Sequence, residues 1–303
     1  MNGFVVMDKP EGVTSFKAAA PLRRLFNERK VGHTGTLDPM ATGVLPVALG
    51  KAARFIDYLP DSDKAYLARF RCGVTTDTLD ITGTVLTETD AHVTETDVLA
   101  LLPRFTGKIE QVPPMYSAIS VNGQRLYDLA RKGIEVERQS RKITVYSLEL
   151  LGEIDGEFEI AVRCSKGTYI RSLIADIGEA LGCGAVMTAL RRTFACGYTL
   201  SDCVTLGELK ALAQDGKIAE HLRPVESLFD VYDALTVSEA QAKRFQNGAS
   251  LDLSRTSLRS RQPENRTILR VKNPSGDFLG LGITADGALK NYKLFAPAGA
   301  SGS

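Results

Sequence analysis

The chain has few of the groups that hold metals or build disulfide frameworks. Its five cysteines (Cys72, Cys164, Cys183, Cys196 and Cys203) are odd in number, scattered, and form no CxxC pair. Its three histidines (His33, His92 and His221) lie far apart. Neither zinc spacing nor a disulfide framework fits, so reduced structural thiols and no metal are expected. No stretch approaches the ~18 consecutive apolar residues of a membrane helix. The opening MNGFVVMDKPEG lacks the basic start and long apolar core of a secretory signal, so a cytoplasmic location without membrane contact is expected. Phosphate loops are missing too. Gly50-Lys51 is followed by Ala52 without the upstream glycine, and no GxGxxG opens a helix after a strand. No Ser-centred nucleophile elbow occurs, and no histidine is framed for a Ser-His-Asp set.

What is present is an ordinary globular composition: 303 residues, 44% hydrophobic and 24% charged, enough for two domains and a sizeable core. The net charge of +1 argues at first against a nucleic-acid partner. Its distribution argues the other way. Lys and Arg outnumber Asp and Glu by six to two in residues 21–54, by eight to four in 104–142 and by five to two in 160–192. Basic surfaces gathered on an otherwise acidic body are what phosphate recognition needs.

Alternation and helical spacing give a coarse map. Gly3–Asp8 reads as a strand, and Ser15–Phe26 as a helix capped by Ser15 and disturbed by Pro21. Lys64–Arg71 alternates like a strand, Asp97–Phe105 reads as a short helix, and Ile143–Leu151 and Glu157–Cys164 read as paired strands. Residues 109–142 combine Pro113-Pro114, Asn122-Gly123 and many charges around a short helix at Arg125–Arg131. They fit a basic arm that orders on a partner, or a long solvated loop. Ile170, Leu173, Ile174, Ile177 and Leu181 fall at helical spacing, with Gly182 where a C-terminal cap belongs. Tyr169 and Arg171 sit off that stripe in the first turn, where Arg171 can point into a cleft. Residues 186–198 read as a further strand. From about Val231 a small β-rich unit begins with a helix, and the final AGASGS reads as disordered.

One loop stands out for chemistry. Residues 29–54 hold a single acid, Asp38, among glycines, threonines and prolines, followed by the apolar run Val44, Leu45, Val47, Ala48 and Leu49. Spacing alone favours an Asp-Pro turn, since Asp caps turns through its own side chain. A rigid loop presenting one carboxylate also suits a nucleophile or a base. Taken singly, Tyr66, Tyr169 and Leu190 are strand or core residues, His33 a loop hydrogen-bonder and Arg171 a helix-start arginine.

Their joint order carries a resemblance. DKPEGVTSF, GHTGTLDPMATGVLPVALGKAARF, KAYLARFRCGVTTDTLDITG, QVPPMYSAISVNGQRLYDLARKGIEV, CSKGTYIRSLIADIGEALGCGA and LRRTFACG, spread over residues 3–200, closely resemble the bacterial tRNA pseudouridine synthases of the TruB type, which modify the T-loop uridine at tRNA position 55. The resemblance implies a pseudouridine-synthase fold of the α/β (α+β) class with a mixed, largely antiparallel central sheet. It implies a catalytic domain over 1–230 whose arm, about 109–142, holds RNA. Beyond about residue 200 the pattern of a small β-rich unit after a helical segment points to a PUA-like RNA-binding domain over 231–297, followed by a disordered tail at 298–303.

By the same resemblance Asp38 matches the catalytic aspartate that detaches the base and lets it rejoin through carbon. Tyr66 matches the tyrosine that stacks on the target base and assists proton removal, and Arg171 the arginine that pairs with the aspartate. Tyr169 matches a pocket tyrosine, Leu190 the apolar wall, His33 a residue near the flipped-out nucleotide, and Asp80 a further acid near the pocket. No metal or organic cofactor, no membrane and no obligatory protein partner are implied; the expected partner is the T-arm of tRNA, met by a monomer. Two rivals stand beside this: a tRNA-folding chaperone whose RNA binding matters more than its chemistry, and a relative that works with guide RNA.

Overall fold

The computed structural model describes residues 1–60, 63–121, 123–261 and 263–295; the sequence expectation for 298–303 lies outside the described residues. Apolar strands come together in a nine-stranded sheet. Its central path runs Gly3–Lys9, Thr42–Leu49, Ala185–Ala195, Lys64–Cys72, Glu157–Cys164, Arg141–Ile154 and Gly107–Gln111. Val31–His33 and Tyr198–Thr199 pair off this path. Thr42–Leu49 meets Ala185–Ala195 in parallel through Arg191 opposite Thr42 and Arg192 opposite Gly43. The other ladders are antiparallel, so the sheet is mixed and largely antiparallel.

Both faces of the sheet are covered. On one, the helix Ile170–Ala180 lays Ile170, Leu173, Ile174 and Ile177 against Phe70, Phe158, Ile160 and Met187. At about 25 cal/mol per Å² of apolar surface removed from water, such a stripe is the main force holding the helix in place. Gly182 follows it at φ +78, the left-handed turn that ends a helix without steric penalty. Ala18, Leu22 and Phe26 pack on Val5, Met7, Leu45 and Val47 on the same face, farther along the sheet. The other face buries Phe4, Val6, Val44 and Ala48 with Phe55 and Phe229.

The N-terminal helix differs from the sequence expectation. Pro21 divides it into Ser15–Ala19 and Leu22–Leu25, because a proline ring cannot continue the helical hydrogen bonds. Thr14 caps it, accepting from the Lys17 amide, which leaves Ser15 free for another task. Residues 109–142 also resolve into parts. The strand Gly107–Gln111 enters the arm and Arg141–Ile154 leaves it. Between them lie the small hairpin Ser120–Val121/Gln124–Arg125 and the helix Leu126–Ala130, whose Leu126 and Leu129 are buried.

Residues 234–294 form a second, five-stranded sheet with its own core of Leu235, Val237, Phe245, Leu269, Val271 and Leu289. It opens on the strand Ala234–Thr236 ahead of the helix Glu239–Gln246; the sequence reading placed the helix first, because three residues are too few to show alternation. Phe55 joins the two units, with ring centroids 5.8 Å from Phe229, 6.0 Å from Phe278 and 5.8 Å from Phe295. No helix among the described residues is long and apolar enough to cross a membrane.

Candidate active site

The loop bearing Asp38 is held almost residue by residue. Ser15 both donates to the Leu37 carbonyl (3.1 Å) and accepts from the Leu37 amide (2.8 Å). The Gly12 amide donates to the Pro39 carbonyl at 2.8 Å. Lys9, fully buried at the end of the first strand, donates to the carbonyls of Pro10 (2.8 Å), Pro39 (3.1 Å) and Ala41 (2.6 Å). An ammonium buried among carbonyl dipoles is still short of solvation, and burial lowers the Lys9 pKa to about 8. Gly43 closes the loop at φ +100 with its Cα against the Arg192 backbone.

Asp38 emerges from this clamp toward Arg171. The guanidinium Nε lies 2.9 Å from Asp38 Oδ2, with the arginine side chain 4% and the aspartate side chain 32% exposed. Nη1 donates to the Thr78 carbonyl (2.9 Å) and Nη2 to the Tyr116 carbonyl (2.8 Å), so the planar fork has no freedom to turn away. Asp80 stands behind it, 3.8 Å from Nε. It is pinned there by the Thr78 hydroxyl and the Thr82 amide at 2.9 and 3.0 Å. Burial pushes the Asp38 carboxyl above the ordinary aspartate range, the Asp80 charge adds to that, and Arg171 is the largest influence holding it down.

The pair borders a cleft of about 280 Å³. Tyr66, in mid-strand and 7% exposed, faces it, as do Leu190, Tyr169 and Ile170. The Tyr66 hydroxyl is pushed up to about 12 by burial. Tyr169 precedes the helix as its N-cap residue, and Gln111 fixes its backbone. The Gln111 side chain accepts from the Tyr169 amide (2.8 Å) and donates to the Tyr169 carbonyl (3.0 Å). A planar, polar ring of nucleobase size fits between such aromatic and aliphatic walls at little entropic cost.

The structure thus brings Asp38, Tyr66, Tyr169, Arg171 and Leu190 to one cleft. Asp80 does not line it and stands behind the guanidinium. His33 does not line it either: the ring is half-buried on the short Val31–His33 strand, with Nδ1 lacking a hydrogen-bond partner. Sequence reasoning missed Lys9, Ser15 and Gln111. The one available signal was Lys9, a cation closing an otherwise apolar strand on its inward face. No group of three or more His, Cys, Asp or Glu able to hold a metal occurs among the described residues.

The fold is that of pseudouridine synthases. It matches a chain of a Cbf5-Nop10-Gar1 complex with TM-score 0.75 at 26% identity, covering 97% of this chain and 85% of that one. It matches a chain of an H/ACA RNP bound to a substrate RNA containing 2'-deoxyuridine with TM-score 0.73 at 25% identity, covering 97% and 85%. Within that class, the N-terminal domain of the TruB family pseudouridylate synthases matches residues 23–170, and the tRNA pseudouridylate synthase B C-terminal domain matches 171–230. The chain is 44% identical over 296 residues to a tRNA pseudouridine synthase B of Clostridium perfringens (strain 13 / Type A), covering 97% of this chain and 99% of the relative. It is also 44% identical over 298 residues to that of Pseudomonas fluorescens (strain Pf0-1), covering 97% and 95%. The chain belongs to the TruB family of pseudouridine synthases.

Proposed function

We propose that this chain isomerises uridine to pseudouridine at position 55 in the T-loop of tRNA, with Asp38 as the reacting carboxylate. The observation that carries this reading is the Asp38–Arg171 pair bordering a cleft walled by Tyr66, Tyr169 and Leu190. Asp38 detaches uracil from the ribose by opening the N1–C1′ bond. The freed ring turns, C5 bonds to C1′, C5 loses its proton, and N1, which carries none in uridine, takes one up. Atoms balance without a cofactor, since substrate and product are isomers. Arg171 favours the ionised carboxylate that a nucleophile requires, against the burial that opposes it. Tyr66 stacks on the ring and lies beside the proton that must move.

A T-loop hides its bases, so the target is flipped out of its stack to reach the cleft. The basic arm, about 109–142, grips the folded RNA, and a PUA-like module over 231–297 extends the contact. The enzyme acts as a cytoplasmic monomer without an obligatory protein partner. Identity of 44% along nearly the whole chain to a relative named tRNA pseudouridine synthase B, against 25% to a chain of an H/ACA RNP, supports action on tRNA without guide RNA.

The test is an Asp38→Asn variant on an unmodified T-arm hairpin. Turnover is expected to fall by at least about 10³-fold, as for loss of a covalent nucleophile, while hairpin affinity stays within about threefold. Retained turnover overturns the assignment of Asp38. Loss of uridine at another position of a full tRNA transcript overturns the T-loop target.

A further inference from the structure

Directly opposite Tyr66 on the neighbouring strand stands Arg192, and it is fully buried. Its Nε donates to the Val44 carbonyl (2.7 Å) and its Nη2 to the Gly35 carbonyl (3.2 Å). Its Nη1 is buried without a hydrogen-bond partner among the described residues. Lys64 opens the strand that carries Tyr66 and lies two residues before it, on the same face of the sheet. Lys64 lines the cleft.

The two cations converge on one point of the Asp38 loop. A methyl on Gly35 would sit 3.4 Å from Lys64 Nζ and 3.5 Å from Arg192 Nη1, so the nitrogens lie within about 7 Å of each other. Burial lowers the Lys64 pKa, and Arg192 is the strongest charge acting on it, in the same direction. Arg192 also acts on the Tyr66 hydroxyl, by its charge and by a hydrogen bond, against the burial that raises the Tyr66 pKa; a neutral hydroxyl leaves the guanidinium charge without a counter-ion.

A buried cation without a counter-ion is costly, and a pair side by side adds mutual repulsion. A neutral uracil carbonyl could satisfy one N–H but would leave both charges uncompensated. An RNA strand brings one anion with every nucleotide. We infer that Lys64, backed by Arg192, is the subsite for a phosphodiester of the RNA strand whose base enters the cleft, an inference that rests on reading the cleft as a uridine pocket. Lys64 makes the contact. Arg192, held by two backbone carbonyls, adds a fixed charge from behind. The base is thereby placed from two ends, its ring by Tyr66 and Leu190 and its backbone by the cations.

The test uses T-arm hairpins in which single phosphates flanking the target uridine are replaced by neutral methylphosphonates. Binding is measured to the wild type, Lys64→Gln and Lys64→Arg, with melting curves establishing that each is folded. One flanking methylphosphonate is expected to weaken wild-type binding on the order of tenfold, the scale of a charge-assisted contact. Lys64→Gln should weaken binding of the native hairpin similarly, and Lys64→Arg should restore most of it. In Lys64→Gln the same methylphosphonate should then cost less than about twofold more, because one interaction has been removed from both sides. Multiplicative losses, or no response at any flanking position, overturn the subsite. Failure of the functional reading shows separately, as absence of uridine conversion in the native hairpin by the wild type.

Discussion

Arg171 Nε and Asp38 Oδ2 meet at 2.9 Å, and the guanidinium reaches that position with both of its terminal nitrogens already committed to backbone carbonyls. The pair joins two segments far apart in sequence, a clamped loop and the first turn of a helix. Neither side chain is free to optimise the contact alone. It is set by the sheet on which both segments rest.

Arg171→Gln should lower kcat by about 10²-fold or more, the scale on which a misplaced reactive group is penalised. Because Arg171 is the largest influence holding the Asp38 carboxyl down, its removal lets burial raise that pKa further. The acid limb of the pH–rate profile should therefore move to higher pH in the variant. A pH–rate comparison checks this, and an unmoved acid limb would show that another group titrates there.

Lys9→Met should act on the loop without touching the cleft. Leaving the Pro39 and Ala41 carbonyls without their donor should cost about 2 kcal/mol, or roughly 3 °C in Tm for a chain of this size. The Lys9 pKa is lowered in the folded state to about 8 from 10.5. The unfolded chain thus binds more protons between those values, and stability rises with pH there. The wild type should gain on the variant between pH 8 and 10.5, read from paired melting curves.

Two glycines of the same loop should respond in opposite ways. A Cβ on Gly43 would meet the Arg192 carbonyl oxygen at 2.2 Å on a backbone with φ +100. Gly43→Ala should destabilise by more than about 3 kcal/mol and collapse the soluble yield. Gly35 meets only the ends of the Lys64 and Arg192 side chains, at ordinary van der Waals distances of 3.4 Å and beyond, so Gly35→Ala should shift stability by about 0.5 kcal/mol or less. Urea midpoints of the two variants decide the matter.

The arm should declare itself through salt. Gln124, Arg125, Arg131 and Lys132 border one surface of it. Replacing Arg125, Arg131 and Lys132 by Gln should reduce the slope of log affinity against log salt by about 2, as three phosphate contacts are lost. An unchanged slope in a salt titration would place the arm away from RNA.

How far the sequence revealed this site depends on distance along the chain. Asp38, Tyr66, Tyr169, Arg171 and Leu190 each stand in a short motif, and the fold brings all five to one cleft. Lys9, Ser15 and Gln111 have no such motif. They act on residues 22 to 58 positions away, and nothing in local spacing marks a partner that remote. The same limit explains Ser15, read as a helix cap when its hydroxyl is spent on Leu37. His33 carries a motif but sits on a short edge strand outside the cleft lining. The main strands were legible because alternation is local; the break at Pro21 was visible only as a disturbance.

The Tyr116 carbonyl that receives Arg171 belongs to the arm, and so does the Val112 carbonyl that receives the Ser172 hydroxyl at 3.0 Å. Lifting residues 112–117 would strip both acceptors at once and leave the guanidinium beside Asp38 half-tethered. The aim of the guanidinium on Asp38 therefore depends on how residues 112–117 are seated.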